Sequence, residues 1–154
     1  RPSLYVAGTG GTDYPRLEYL IMKSTPQTSI VILLPEDRII LQFRDEHAPS
    51  YPLSFTNWGG SVEGETAIEN ACRELAEELG LEIDPAELIH ISNDFFKGIP
   101  RDIFLLQKDI RLSDLRLGEG AGFVCVPRDA IESIPMNDIL KDDIEKLDDY
   151  LSYL

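Results

Sequence analysis

The chain has 154 residues, a length that fits one domain rather than two. Its 43% hydrophobic and 27% charged residues are typical of a globular protein, and no apolar run approaches the roughly 20 residues that cross a bilayer. Fourteen basic against 28 acidic side chains give a net charge of −14, which disfavours nucleic acids and membranes as partners. A phosphate substrate would therefore need a cation to offset the repulsion.

The two cysteines indicate a reducing compartment. Cys72 and Cys125 lie in apolar stretches and form neither a CxxC pair nor a zinc-binding spacing. We interpret both as reduced core residues. Together with the absence of a charged and apolar leader, this predicts a cytoplasmic protein.

The first part of the chain predicts an extension followed by a hairpin. Residues 1–27 form an N-terminal extension with a possible strand at 17–22, and the glycines at 8–12 predict a turn because they lack a P-loop's Gly-Lys-Ser/Thr. The β-rich runs 29–34 and 38–44, separated by Pro35-Glu36-Asp37, predict two paired strands. A long loop is expected from residue 45 to about 58.

The clearest element is a helix over residues 65–79. Thr66 and Glu69 have the spacing of a capping box, and Gly80 stands where a helix C-terminal glycine belongs. Apolar residues follow the helical period along one face: Ile68, Ala71, Cys72, Leu75 and Leu79.

The remaining elements define the fold class. Residues 88–91, 103–107 and 122–126 predict strands, and an apolar stripe predicts a C-terminal helix over 138–150. Strands precede, separate and follow the two helices, so the class is α/β, with helices packed on a mixed sheet.

The polar face of the first helix carries an unusual acidic cluster. Glu74, Glu77 and Glu78 lie within one turn, where like charges repel, and they stand at the helix C-terminus, where the dipole favours cations. A bound Mg²⁺ would relieve both penalties. The helix alone is equally consistent with a solvated acidic face.

The sequence around this cluster resembles the Nudix box, the pattern G-x5-E-x7-R-E-U-x-E-E-x-G-U, in which U is aliphatic. Residues 59–81 fill every fixed position. These positions are Gly59, Glu65, Arg73, Glu74, Leu75, Glu77, Glu78, Gly80 and Leu81. A chance match at one start is on the order of 10⁻⁹ at average residue frequencies. With the order of elements around the box, the resemblance extends over about residues 28–150.

The resemblance to MutT-like Nudix hydrolases implies a fold and a reaction. The expected fold is a Nudix-type α/β/α sandwich over residues 28–150. The expected activity is hydrolysis of a nucleoside diphosphate linked to another group, with Mg²⁺ or Mn²⁺ as cofactor. By position, Glu74, Glu77 and Glu78 would be metal ligands, with Glu74 also a candidate base.

The other box positions would be structural. Arg73 would pair with an acid such as Glu65, and Gly59 and Gly80 would shape the loop–helix–loop. Many family members have one more residue after the paired glycines, so either Trp58 or Gly59 would supply the main-chain carbonyl to the metal. Family bases often lie in a later loop, where Glu119 is the candidate, with a plain turn acid as the alternative.

Three residues outside the box are candidates for substrate binding. Arg44 ends a predicted strand and is suited to a phosphate, although an exposed salt bridge is an equal alternative. Tyr51 and Trp58 are suited to stacking on a base or sugar, although they could instead anchor the loop. The stretch resembles members that act on nucleotide sugars or nucleoside triphosphates.

Two other functions remain as alternatives. A Nudix-like sensor would bind a nucleotide without turnover, but such proteins usually lack a box glutamate. Tyr51-Pro52 and Phe55-Thr56-Asn57 faintly resemble isopentenyl diphosphate isomerase, whose active-site cysteine is replaced here. The sequence leaves a homodimer open.

Overall fold

The computed structural model describes residues 27–154, so the predicted extension 1–27, its strand at 17–22 and its glycine-rich turn at 8–12 lie outside the described residues, except for Gln27. Seven strands are present: β1 Thr28–Leu33, β2 Arg38–Phe43, β3 Phe55–Thr56, β4 Trp58–Ser61, β5 Ile89–Phe96, β6 Ile99–Leu106 and β7 Gly122–Pro127. The α-helices are α1 Ala67–Leu79 and α2 Asp138–Ser152, and 3-10 turns span Pro85–Glu87, Leu112–Asp114 and Arg128–Ser133.

The strands form one mixed sheet with β1 near its centre. Strand β1 pairs in parallel with β6 and antiparallel with β2 and β4. Strands β3 and β7 pair antiparallel with β2, and β5 forms an antiparallel hairpin with β6. The sheet is therefore mixed, as the sequence predicted.

Each face of the sheet is covered by one helix. Alternate residues of β1 face opposite ways, as strand geometry requires. Ile30 and Ile32 join the core beneath α2, whereas Val31 and Leu33 join the core beneath α1. The central strands are buried on both faces, which explains their almost continuous apolar sequence. This arrangement confirms the predicted α/β/α sandwich.

Helix α1 ends at Leu79 as its sequence predicts and begins at Ala67, two residues after the predicted start and directly after the predicted capping residue Thr66. The Thr66 side chain accepts a hydrogen bond from the Glu69 backbone N–H, and the Glu69 carboxylate accepts one from the Thr66 N–H. Gly80 ends the helix in the left-handed conformation, at φ 63°. These caps satisfy backbone groups that a helix terminus otherwise leaves unpaired.

The sheet divides on one edge of β1, and this division creates a cleft. The end of β1 pairs with β2 only through Leu33 and Ile40, while residues 28–31 pair with β4. Strands β2 and β4 therefore occupy the same side of β1 at different levels. Residues of β1, β2 and β4 line this cleft.

Three parts of the sheet differ from the sequence prediction. The predicted loop 45–58 contains β3 and the first residue of β4, which are short strands rich in polar residues and glycine. Strands β5 and β6 are longer than predicted and continue to a two-residue turn at Lys97-Gly98. Both turn residues have positive φ, 51° and 80°, which suits the twist of a tight hairpin.

Candidate active site

The acidic cluster of α1 lies at one end of the cleft and is buried to different degrees. Glu78 is only 3% exposed, and the Glu74 side chain is mostly buried. The Glu77 side chain is mainly exposed. The loop before α1 approaches this cluster closely, because a Cβ atom at Gly60 would lie 2.8 Å from the Glu74 Oε2 atom. Only glycine fits there without displacing the carboxylate.

Glu78 is a buried carboxyl group with unusual surroundings. Its Oε1 atom accepts a hydrogen bond from the Gly59 backbone N–H at 3.0 Å. Burial raises the pKa of Glu78 to about 9, and hydrogen bonding to the Glu119 carboxyl group acts in the same direction. Burial also raises the pKa of Glu74. No cation pairs with Glu78 in the described part of the chain.

Gly59 has the tightest packing in this region. Its φ is 129°, and a Cβ atom would lie 2.0 Å from the Ser29 carbonyl oxygen on the neighbouring strand. Any side chain here would separate β4 from β1. The glycine therefore fixes the strand that supplies the hydrogen bond to Glu78.

Arg73 organises the more exposed carboxylates. Its Nε donates to Glu65 at 3.0 Å, its Nη1 lies 3.0 Å from Glu77 and 3.2 Å from Glu74, and its Nη2 donates to the Asn70 Oδ1 atom at 2.6 Å. The expected ion pair between Arg73 and Glu65 is therefore present. It joins the loop before α1 to the middle of the helix.

The loop that carries Glu119 is attached to α1 through its backbone. The Arg116 N–H donates to the Leu79 carbonyl and the Gly118 N–H to the Glu78 carbonyl, both at 2.8 Å. A Cβ atom at Gly118 would lie 2.1 Å from the Glu77 carbonyl oxygen, so the close approach requires glycine. The structure thus brings Glu119 to the acidic cluster.

The cleft beside this cluster has a volume of about 720 Å³. Three cationic side chains line it: Arg44, Lys97 and Arg101. Lys97 is paired with Asp138, and Arg101 is paired with three aspartates. Arg44 has no carboxylate partner within residues 27–154, and its Nε donates to the Ser50 carbonyl at 2.6 Å. Arg44 is therefore the cation best placed to receive an anionic ligand.

The two aromatic candidates occupy different environments. Trp58 is 1% exposed, and its indole N–H donates to the Ile40 carbonyl at 2.9 Å within the core beneath α1. The Trp58 ring therefore lies in the core, whereas stacking on a base or sugar was one of its expected roles. Tyr51 lines the cleft, has φ 49°, and donates its hydroxyl to the Asp138 Oδ1 atom at 2.7 Å.

Comparison with known proteins identifies the family. The profile of the NUDIX domain matches residues 23–146, most of the chain. The chain belongs to the NUDIX domain family. As expected from the box motif, it is a Nudix hydrolase, which acts on phosphoric anhydride bonds. No curated protein matches the chain.

Solved Nudix structures share the fold at low identity. The NUDIX domain of Shewanella oneidensis NrtR, in complex with ADP ribose, has a TM-score of 0.69 and 13% identity, and the match covers 98% of this chain and 99% of that one. A MutT protein from Methanosarcina mazei Go1 has a TM-score of 0.63 at 19% identity, over 80% and 92% of the chains. The Escherichia coli dihydroneopterin triphosphate pyrophosphohydrolase has a TM-score of 0.60 at 20% identity, over 79% and 93%.

The donor chemistry of the Nudix box fits a divalent metal ion. Residues 27–154 contain no group of three acidic, histidine or cysteine side chains already arranged as a metal site. However, Glu78 is a buried carboxyl group without a cation, and Glu74 and Glu119 stand beside it. Carboxylate oxygens are the ligands that Mg²⁺ prefers, and a cation there would favour the ionised groups. The side chains of Glu74, Glu78 and Glu119 therefore suit a divalent metal ion.

Sequence reasoning missed several side chains of the cleft. Gln42 is 2% exposed and connects Arg44 to the Glu119 loop, while Asn57 donates to the buried Asp143 at 3.0 Å. A polar residue inside an apolar strand was the available signal for Gln42. Nothing in the sequence pattern distinguishes Arg101, which lies in β6, a strand that was predicted to begin four residues later, at residue 103.

Two further observations concern the cysteines and the helices. Cys72 and Cys125 are free thiols, as predicted. Within the described residues, none of the helices combines the length and apolar character needed to cross a bilayer.

Proposed function

We propose that this Nudix protein is a divalent-metal-dependent hydrolase that cleaves the diphosphate linkage of a nucleoside diphosphate derivative, either a nucleotide sugar or a nucleoside triphosphate. The observation that carries the proposal is the burial of Glu78 beside Glu74 and Glu119 at one end of a cleft of about 720 Å³. Cytoplasmic location belongs to the same proposal, because free thiols suit a reducing compartment.

Different residues of the cleft would bind the substrate and accept the proton. Arg44 would hold a phosphoryl oxygen, since its guanidinium has donors to spare and no carboxylate partner in the described chain. Tyr51 would contact the base or sugar from the wall of the cleft. The substrate diphosphate would then lie against the acidic cluster.

The acidic cluster would hold the cofactor and accept the proton. Glu74, Glu77 and Glu78 would hold Mg²⁺ or Mn²⁺, with Gly59 adjoining through its backbone. When bound, the ion neutralises the diphosphate and lowers the pKa of a bound water. Glu119 or Glu74 would take the proton from the attacking water as the P–O bond to the bridging oxygen breaks. The products are two phosphate-containing fragments.

The test is hydrolysis of a mixed panel with Mg²⁺: nucleoside triphosphates, nucleotide sugars including ADP-ribose, and dinucleotides, with products separated by chromatography. Glu78→Gln should lose the activity, whereas Glu82→Gln, which changes an exposed acid just beyond α1, should retain it. A monophosphate with a phosphosugar, or a monophosphate with pyrophosphate, would locate the cleaved bond. No cleavage of any class would refute the proposal.

A nucleotide-binding sensor is the second candidate. It is favoured by the likeness to the NrtR domain in complex with ADP ribose, which extends over 98% of this chain. Binding of ADP-ribose without Mg²⁺-dependent turnover would support the sensor, and turnover would exclude it.

A further inference from the structure

The side chain of Gln42 connects two parts of the proposed active site. It is buried within the cleft wall, in strand β2. Its Nε2 atom donates to the Glu119 carbonyl oxygen at 3.1 Å, and its Oε1 atom accepts from the Arg44 Nη1 atom at 3.4 Å. One amide group therefore contacts both the loop of the candidate base and the cation of the cleft.

The Glu119 loop is packed directly on this amide. Gly120 has φ 92°, and a Cβ atom there would lie 3.0 Å from the Gln42 Cγ and Nε2 atoms. The next residue, Ala121, donates its backbone N–H to the Phe43 carbonyl at 2.9 Å. The loop is thus attached to α1 on the side of Gly118 and to β2 on the side of Ala121.

The Glu119 carboxyl group hydrogen-bonds to Glu78, and Gln42 supplies the only side-chain hydrogen bond to the backbone of this loop among residues 27–154. The other hydrogen bonds of the loop backbone are made to backbone atoms, which a side-chain substitution leaves in place. The position of Glu119 relative to the acidic cluster therefore depends on the side chain at residue 42.

We infer that Gln42 is a positioning residue that holds Glu119 beside the acidic cluster and links that position to Arg44. The inference rests on the proposed function, in which Glu119 accepts a proton and Arg44 binds phosphate. Gln42 itself contacts neither the proton nor the phosphate. Its role is to keep the base in place while its neighbour Arg44 binds the substrate.

The chemistry of the amide explains why this residue type is needed. The loop carbonyl requires a donor and the guanidinium requires an acceptor, and a primary amide offers both. Glutamate at this position keeps the acceptor for Arg44 but presents a second acceptor to the carbonyl. Methionine has a similar length and offers neither bond. The two substitutions therefore separate the two contacts.

Amide hydrogen exchange tests the positioning directly and needs no substrate. Gln42→Met and Gln42→Glu should each raise exchange of the amides at residues 118–121 by roughly tenfold, because the loop opens more often. Gln107→Met, at an exposed position just after β6, is the matched control and should leave these amides unchanged. Wild-type exchange in both Gln42 variants would overturn the inference.

Kinetics separate positioning from a general loss of structure. With ADP-ribose and GTP as probes, Gln42→Glu should lower kcat roughly ten- to hundredfold and also raise KM, because the new carboxylate pairs with Arg44. Gln42→Met should lower kcat similarly with a smaller rise in KM, because Arg44 stays without a carboxylate partner.

A double-mutant cycle identifies the residue through which Gln42 acts. In a Glu119→Gln background, Gln42→Met should not lower kcat further. A full additional loss would show that Gln42 acts through another group, which overturns the inference. If the wild-type protein hydrolyses neither probe, the proposed function fails for these substrates, and the exchange experiment still decides the positioning role.

Discussion

Replacement of Glu78 by glutamine should affect stability and activity in opposite directions. The side chain is buried, receives the Gly59 N–H, and has no cation partner in the described chain. Burial raises its pKa to about 9, so the folded, metal-free protein holds a proton there at neutral pH. The unfolded chain releases that proton, since its carboxyl group has a pKa near the ordinary value.

The size of the effect follows from the two pKa values. A group with a raised pKa in the folded state contributes stability that is complete below the unfolded pKa and is lost as the pH rises through the folded pKa. Between pH 5 and 7 the loss is about 1.4 kcal/mol per pH unit, or about 3 kcal/mol in total. Glutamine cannot ionise, so Glu78→Gln should avoid this loss.

The assay is unfolding by urea in EDTA at pH 5 and pH 7 for the wild type and the variant. The advantage of Glu78→Gln in free energy of unfolding should grow by about 3 kcal/mol between these conditions, equivalent to roughly 6–12 °C in Tm. Glu82→Gln, which changes an exposed acid, should follow the wild type. An identical pH dependence for Glu78→Gln and the wild type would refute this reasoning.

Three other changes should give distinct results. Gly118→Ala should displace the Glu119 loop and lower kcat at least tenfold in steady-state kinetics. Gly122→Ala is the control and should leave kcat unchanged, because no atom lies within 4 Å of the added Cβ. Asp143→Ala leaves the buried Arg101 without its closest buried partner and should cost about 3–5 kcal/mol in urea unfolding. Tyr51→Phe removes an exposed hydrogen bond and should raise KM with less than about 1 kcal/mol lost in stability.

The helices and central strands could be predicted because local patterns determine them. The capping pair Thr66 and Glu69 and the terminal Gly80 mark the ends of α1, and all three act as expected in the structure. The apolar runs of β1 and β2 are the signature of strands covered on both faces. The box motif placed the acidic cluster on the correct face of α1.

The contacts between distant segments could not be predicted from local patterns. The short strands β3 and β4 form because β1 and β2 offer unpaired edges, a property of the assembled sheet rather than of residues 55–61. Trp58 was a candidate for stacking or for anchoring the loop, but the pairing of β4 with β1 places its ring in the core. The bridging position of Gln42 also depends on a loop 77 residues away along the chain.

The proposed reaction is hydrolysis of a phosphoric anhydride in the cleft lined by Glu74 and Glu119, beside the buried Glu78. The most direct measurement is incubation of ADP-ribose and GTP with the protein and Mg²⁺ in ¹⁸O-labelled water, followed by mass spectrometry of the products. We expect one ¹⁸O atom in one phosphate-containing product per cleavage, no label in EDTA, and no cleavage by Glu78→Gln. Unlabelled products, cleavage that persists in EDTA, or full activity of Glu78→Gln would contradict it.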